Sequence, residues 1–190
     1  MNKVYLERFE TRLQHELLQL CCSQKMLNGT LLASEDIDQQ WQKLGPEYLA
    51  DAVTQIKDYP TVSVAWAAYL GMGIANGWDK DWNRYQKLPY QHFYGSEGFD
   101  NMDENIVANI LGLPLESEDA RKLEAIIRSC AQTTVSLIRH EEIEPQSPTA
   151  YYIFASACRI MYRIGAALEL KRLGYKFERV DLPTGNPLLN

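Results

Sequence analysis

Residues 61–76 constrain this chain more than any other segment, because they are apolar on nearly every side. Val62, Val64, Ala65, Trp66, Ala67, Ala68, Tyr69, Leu70, Met72, Ile74 and Ala75 leave no polar stripe when wound into a helix. A helix apolar all round either lies at the centre of a bundle or spans a membrane. With about 20 apolar residues needed to cross a bilayer, a stretch this short, with Ser63 inside it, is expected at a bundle centre. Gly71, Gly73 and Gly77 weaken its helix propensity, and together with the alanines they suit close approach of a neighbouring helix.

A second segment has the same character. Pro148 to Leu173 carries Ile153, Phe154, Ala157, Ile160, Met161, Ile164, Ala167, Leu168 and Leu170, and Gly174 ends it. Amphipathic stretches surround the two. Leu6, Phe9, Leu13, Leu17 and Leu20 recur at three- and four-residue steps, predicting a helix from Lys3 to Leu27 that stops at Asn28-Gly29. Ser34 is expected to cap a short helix broken at Gly45-Pro46, with a further helix running to Tyr59. Residues 78–88 read as a continuation of the 60–76 helix, and 101–111 as a separate one stopped by Gly112 and Pro114. Ser117 caps a stripe of Leu123, Ile126, Ile127, Cys130, Thr134, Leu137 and Ile138.

The expected fold is therefore all-α: a single-domain bundle of about six to eight helices over 1–174, with 60–76 and 148–173 central. Residues 175–190, with Pro183, Gly185 and Pro187, read as an extended tail, strand-like at most over 176–182. Pro60-Thr61 and Pro148-Thr149 each open a buried helix after an amphipathic one, an echo that a duplication of two helical halves would leave.

Charge and cysteines narrow the function classes. A net charge of -6 with no basic run argues against nucleic acid, which demands Lys and Arg to neutralise phosphates. Cys21, Cys22, Cys130 and Cys158 form no CxxC pair, and adjacent Cys21 and Cys22 are poorly placed to bridge each other. The residues Met1 to Glu7 turn charged at once and lack a signal-peptide core, so reduced thiols in a cytoplasm are expected.

Three constellations carry what chemistry the residues offer. Tyr152, Ser156, Arg159 and Arg163 stand at steps of four, three and four and share one helical face. A charged arginine turned inward needs a carboxylate or an anionic ligand. Acids cluster at Asp79, Asp81, Glu97, Asp100, Asp103 and Glu104, in no EF-hand spacing, so no metal is expected. The irregular stretch 90–100 is the expected functional loop, and His92 within it is the histidine best suited to acid–base work. Trp78 and Trp82, four residues apart, can line a pocket or dock a partner.

No HEXXH, GxSxG, P-loop or dinucleotide fingerprint is present, and no cofactor is implied. The leading expectation is a soluble helical protein acting through protein contacts, with a second copy of the chain as partner. The alternative is a binder of a small anionic ligand, or an enzyme, whose site joins Arg159 and Arg163 to the 79–104 segment through Tyr152, His92, Asp79, Trp78 and Trp82.

Overall fold

The computed structural model describes residues 3–176; the expected tail therefore lies, beyond its first two residues, outside the described residues. The architecture is an all-α bundle. Its helices are α1 (Lys3–Ser23), α2 (Glu35–Gln55), α3 (Pro60–Tyr85), α4 (Met102–Asn105), α5 (Glu118–Arg139) and α6 (Pro148–Arg172). No helix is long and apolar enough to cross a membrane, among the described residues.

The two apolar segments are central, as their composition requires. Every residue of α3 from Ser63 to Gly77 is buried except Trp66, and in α6 burial is unbroken from Ile164 to Leu170. They lie side by side and run parallel: the Cys158 thiol meets the Ser63 carbonyl near their starts, and Asn76 meets Glu169 near their ends. Glycine sets their separation. A Cβ at Gly165 would fall 1.8 Å from the Ala68 carbonyl oxygen, and one at Gly71 would fall 2.0 Å from that of Tyr162. Each helix thus rests its backbone against the other's glycine, and the small residues serve packing.

The remaining long helices cover this pair. α1 runs parallel to α6, with Glu10 against Ser156 and Lys25 against Lys171. α2 is antiparallel to α3, since Tyr48 reaches Ser63 while Gln40 reaches Gln86. α5 is antiparallel to α1: Tyr5 bonds Glu141 at one end and Cys21 faces Cys130 near the other. So α1, α3 and α6 begin at one end of the bundle, where α2 and α5 finish.

Local boundaries differ from expectation at four places. α1 ends at Ser23 because Lys25, not Gly29, first takes a left-handed backbone (φ 59°), and Met26 and Leu27 both donate to the Cys21 carbonyl. Gly45-Pro46 does not break α2. The clash that normally keeps the residue before proline out of the helix involves its Cβ, which Gly45 lacks, and the Gln42 carbonyl left without a donor lies on the exposed side. α3 continues to Tyr85 but kinks at Asp81 (φ -166°, ψ 87°), whose carboxylate accepts from the Arg84 N–H at 3.3 Å. The expected 101–111 helix is α4 followed by a π-helical turn, Ile106–Ile110, in which the Leu111 N–H reaches back to Ile106 at 2.8 Å. Ser117 and Ser147 cap α5 and α6 through the Ala120 and Ala150 N–H groups.

Candidate functional site

The polar face of α6 does not look into the core. It opens on the seams between α6 and its neighbours α1 and α2. Ser156 donates to Glu10 at 2.7 Å. Arg163, half-buried, donates from Nη1 to Gln14 at 3.0 Å and forms an ion pair through Nε with Asp38 at 3.4 Å. That ion pair is too poorly aligned to be a hydrogen bond, so Nε stays without an acceptor. Arg159 is exposed and has no ion pair or hydrogen bond among the described residues.

Two grooves meet at Arg159. One, about 350 Å³, is lined by α1 (Glu10, Gln14, His15) and by Arg159 and Arg163. The other, about 700 Å³, runs along the start of α2 past Ser34, Glu35 and Asp38. Tyr152 lines neither; it stands exposed near the start of α6, its ring 5.9 Å from that of Tyr151.

The 79–104 residues gather elsewhere. Arg159 and Arg163 line the grooves beside α1 and the start of α2, with Arg163 paired to Asp38, whereas Trp78 reaches α2 at Asp36 and lines neither groove. Trp78 packs on Tyr175 with centroids 5.5 Å apart and donates to Asp36 at 3.3 Å, while Asp79 accepts from the Tyr175 hydroxyl at 2.8 Å. The Asp81 kink takes Trp82 off the four-residue helical spacing that would pair it with Trp78, and Trp82 packs half-buried against the core. His92 lies edge-on to Phe93 and Tyr85; desolvation, then the Arg84 guanidinium, lowers its pKa below the ordinary histidine value. The structure thus brings Trp78 and Asp79 together with Tyr175, and Arg159 together with Arg163. It does not bring these two groups to one cavity, nor His92 to either.

Two buried polar pairs complete the inventory. Glu169 is fully buried and both its oxygens are occupied: Oε1 by Asn76 and Arg172 Nη2 at 2.8 Å each, Oε2 by Arg172 Nε at 2.7 Å. Cys21 and Cys130 face each other with sulfurs 3.7 Å apart, and all four cysteines are free thiols. Hydrogen bonding to Cys21 and burial push the Cys130 thiol far up, which keeps it protonated. Among the described residues no group of three or more His, Cys, Asp and Glu side chains is placed to hold a metal ion.

A further cleft lies between α3, α4 and α5, where Trp66, Tyr69, Asp103 and Glu124 line one cavity. Nothing in the spacing of 66, 69, 103 and 124 announces that they meet. Compared with known proteins, the chain matches no family model, no curated protein and no solved structure.

Proposed function

We propose that this chain is a non-catalytic helical protein that works by pairing with a second copy of itself, through the end where α1, α3 and α6 begin. One observation carries the reading. Of the seven exposed large apolar or aromatic side chains among the described residues, Val4, Val53, Tyr59, Tyr151 and Tyr152 share that end. Tyr59 is 61% exposed and Tyr152 45%. Tyrosines suit reversible contacts because each offers a broad apolar ring with a polar tip. The same end carries both signs of charge, exposed Lys57 and Arg139 beside Asp58, Glu142 and Glu144. A two-fold pairing can therefore set opposite charges against each other.

Sedimentation velocity over a wide concentration series tests this. The natural chain is expected to move from monomer to dimer as concentration rises. The triple variant Tyr59→Ser/Tyr151→Ser/Tyr152→Ser is expected to stay monomeric, with stability within about 0.5 kcal/mol because the removed rings are exposed. A natural chain that remains monomeric throughout overturns the proposal.

A second reading rests on a different observation. Arg159 lines two grooves without a partner, and Arg163 beside it holds an unsatisfied Nε. Guanidinium groups so placed suit a phosphate or carboxylate anion. Here the expected result is a melting temperature that rises with the logarithm of pyrophosphate concentration, and no such rise in Arg159→Met/Arg163→Met. An unresponsive natural chain ends this reading.

A further inference from the structure

Trp66 is the one residue between Ser63 and Gly77 that α3 leaves incompletely covered. What lies over it is a cavity of about 160 Å³, lined by Trp66 and Tyr69 of α3, Asp103 of α4, and Glu124 and Arg128 of α5. A second cavity of about 200 Å³ adjoins it, sharing Tyr69, Asp103 and Glu124 and adding Glu104. The indole is held by its Nε1–H, which donates to the Phe99 carbonyl at 2.9 Å, and the Tyr69 ring meets it edge-on at 5.7 Å.

The polar groups of this cleft are unbalanced. Glu124 is paired with Arg128, but Asp103 has no ion pair among the described residues. Desolvation raises the Asp103 pKa, and the nearby Glu104 and Glu124 carboxylates add to the rise against backbone hydrogen bonds that lower it. Tyr69 is only 4% exposed, and its side chain lines both cavities with no hydrogen-bond partner for the hydroxyl among the described residues. Asp103 and Glu124 line the same two cavities as Tyr69, and burial first, then their negative charges, push the hydroxyl well above its ordinary range.

We infer that the cleft between α3, α4 and α5 binds an organic ammonium group, held by the Asp103 and Glu124 carboxylates against the Trp66 and Tyr69 rings. Carboxylates supply the opposite charge, and the ring faces attract a cation where water is partly excluded. An anion meets net negative charge here, since one guanidinium faces three carboxylates. A neutral apolar molecule leaves those charges desolvated without compensation. The site borders the dimer end through Thr61 and Val62 but shares no residue with the exposed side chains there or with the Arg159 groove, and its test reads ammonium binding, not association.

The natural chain carries four tryptophans, and Trp66→Phe assigns the Trp66 indole N–H resonance in a nitrogen-15 NMR spectrum. Choline is expected to shift that resonance saturably and leave the other three in place. Its neutral isostere, 3,3-dimethylbutan-1-ol, is expected to shift it at least about tenfold more weakly. N-acetyl-lysinamide, run alongside, distinguishes a free amine from a lysine side chain of a partner: whichever ammonium binds more tightly supports the site and names its source. Asp103→Asn/Glu124→Gln is expected to weaken choline binding about tenfold, which at 1.4 kcal/mol per decade is a modest loss. An equal response to choline and its isostere, or a Trp66 resonance that no ammonium moves, overturns the inference. That comparison uses only the natural chain, so it stands whether or not the double variant folds.

Discussion

Gly165→Ala is expected to lower the stability of the bundle by about 2–4 kcal/mol, although alanine is the better helix former by about 1 kcal/mol. The new methyl group would occupy a point 1.8 Å from the Ala68 carbonyl oxygen, and the contact is with backbone, which cannot rotate away. Relief demands that α3 and α6 separate, and that separation loosens dispersion contacts along both central helices, since interiors are packed like crystals. For a chain of this length the loss corresponds to a fall of roughly 5–15 °C in melting temperature. Urea denaturation monitored by circular dichroism checks it. Gly71→Ala, which meets the Tyr162 carbonyl oxygen at 2.0 Å, should behave alike. A midpoint unchanged or raised in both variants means that the helices are not in the backbone contact described.

Arg172→Ala should cost about 3 kcal/mol through a different mechanism. Glu169 has no exposed surface, and among the described residues Arg172 supplies its only countercharge at hydrogen-bonding distance. Removing the guanidinium leaves a carboxylate in the core with one amide donor, Asn76. The Arg172 side chain is itself 29% exposed, so water admitted by its loss keeps the cost at the low end of the range for broken buried pairs.

The loss is expected to come from the unpaired buried charge rather than from packing. Adding Glu169→Gln to Arg172→Ala should restore more than half the loss, because the charge disappears while the amide oxygen still accepts from Asn76. No rescue by glutamine would mean that the guanidinium stem and not its charge carries the effect.

Much of the architecture was legible in the residues. The all-round apolarity of 61–76 and the broad apolar surface of 148–173 determined which helices are central, because such surfaces can be buried only between several neighbours. Ser117, the stripe after it and Gly174 marked α5 and the end of α6, since caps and left-handed stops act within one turn of the chain. Where the reading failed, a local signal was overridden by its neighbours. Pro46 normally ends a helix, but the missing Cβ of Gly45 and a solvent-facing Gln42 carbonyl let α2 continue. Asp81 looked like a helix interior residue, yet it caps a last turn whose Tyr85 ring folds back over Gly77.

The sites divide along the same line. That Tyr152, Ser156, Arg159 and Arg163 share a face followed from the helical repeat alone. Which way the face looks did not: α1 and α2 flank it rather than cover it, so the arginines line surface grooves that Trp78 and Asp79 do not line. The ammonium cleft is the extreme case, joining residues 66, 69, 103 and 124 from three helices. Periodicity, caps and composition are properties of neighbours along the chain, and they determined the helices, their stripes and the two apolar cylinders at the centre. The parallel course of α1, α3 and α6, the backbone contact at Gly71 and Gly165, and every juxtaposition of distant polar groups were decided only when those stripes packed, because packing depends on shapes that meet across the bundle and no local spacing encodes them.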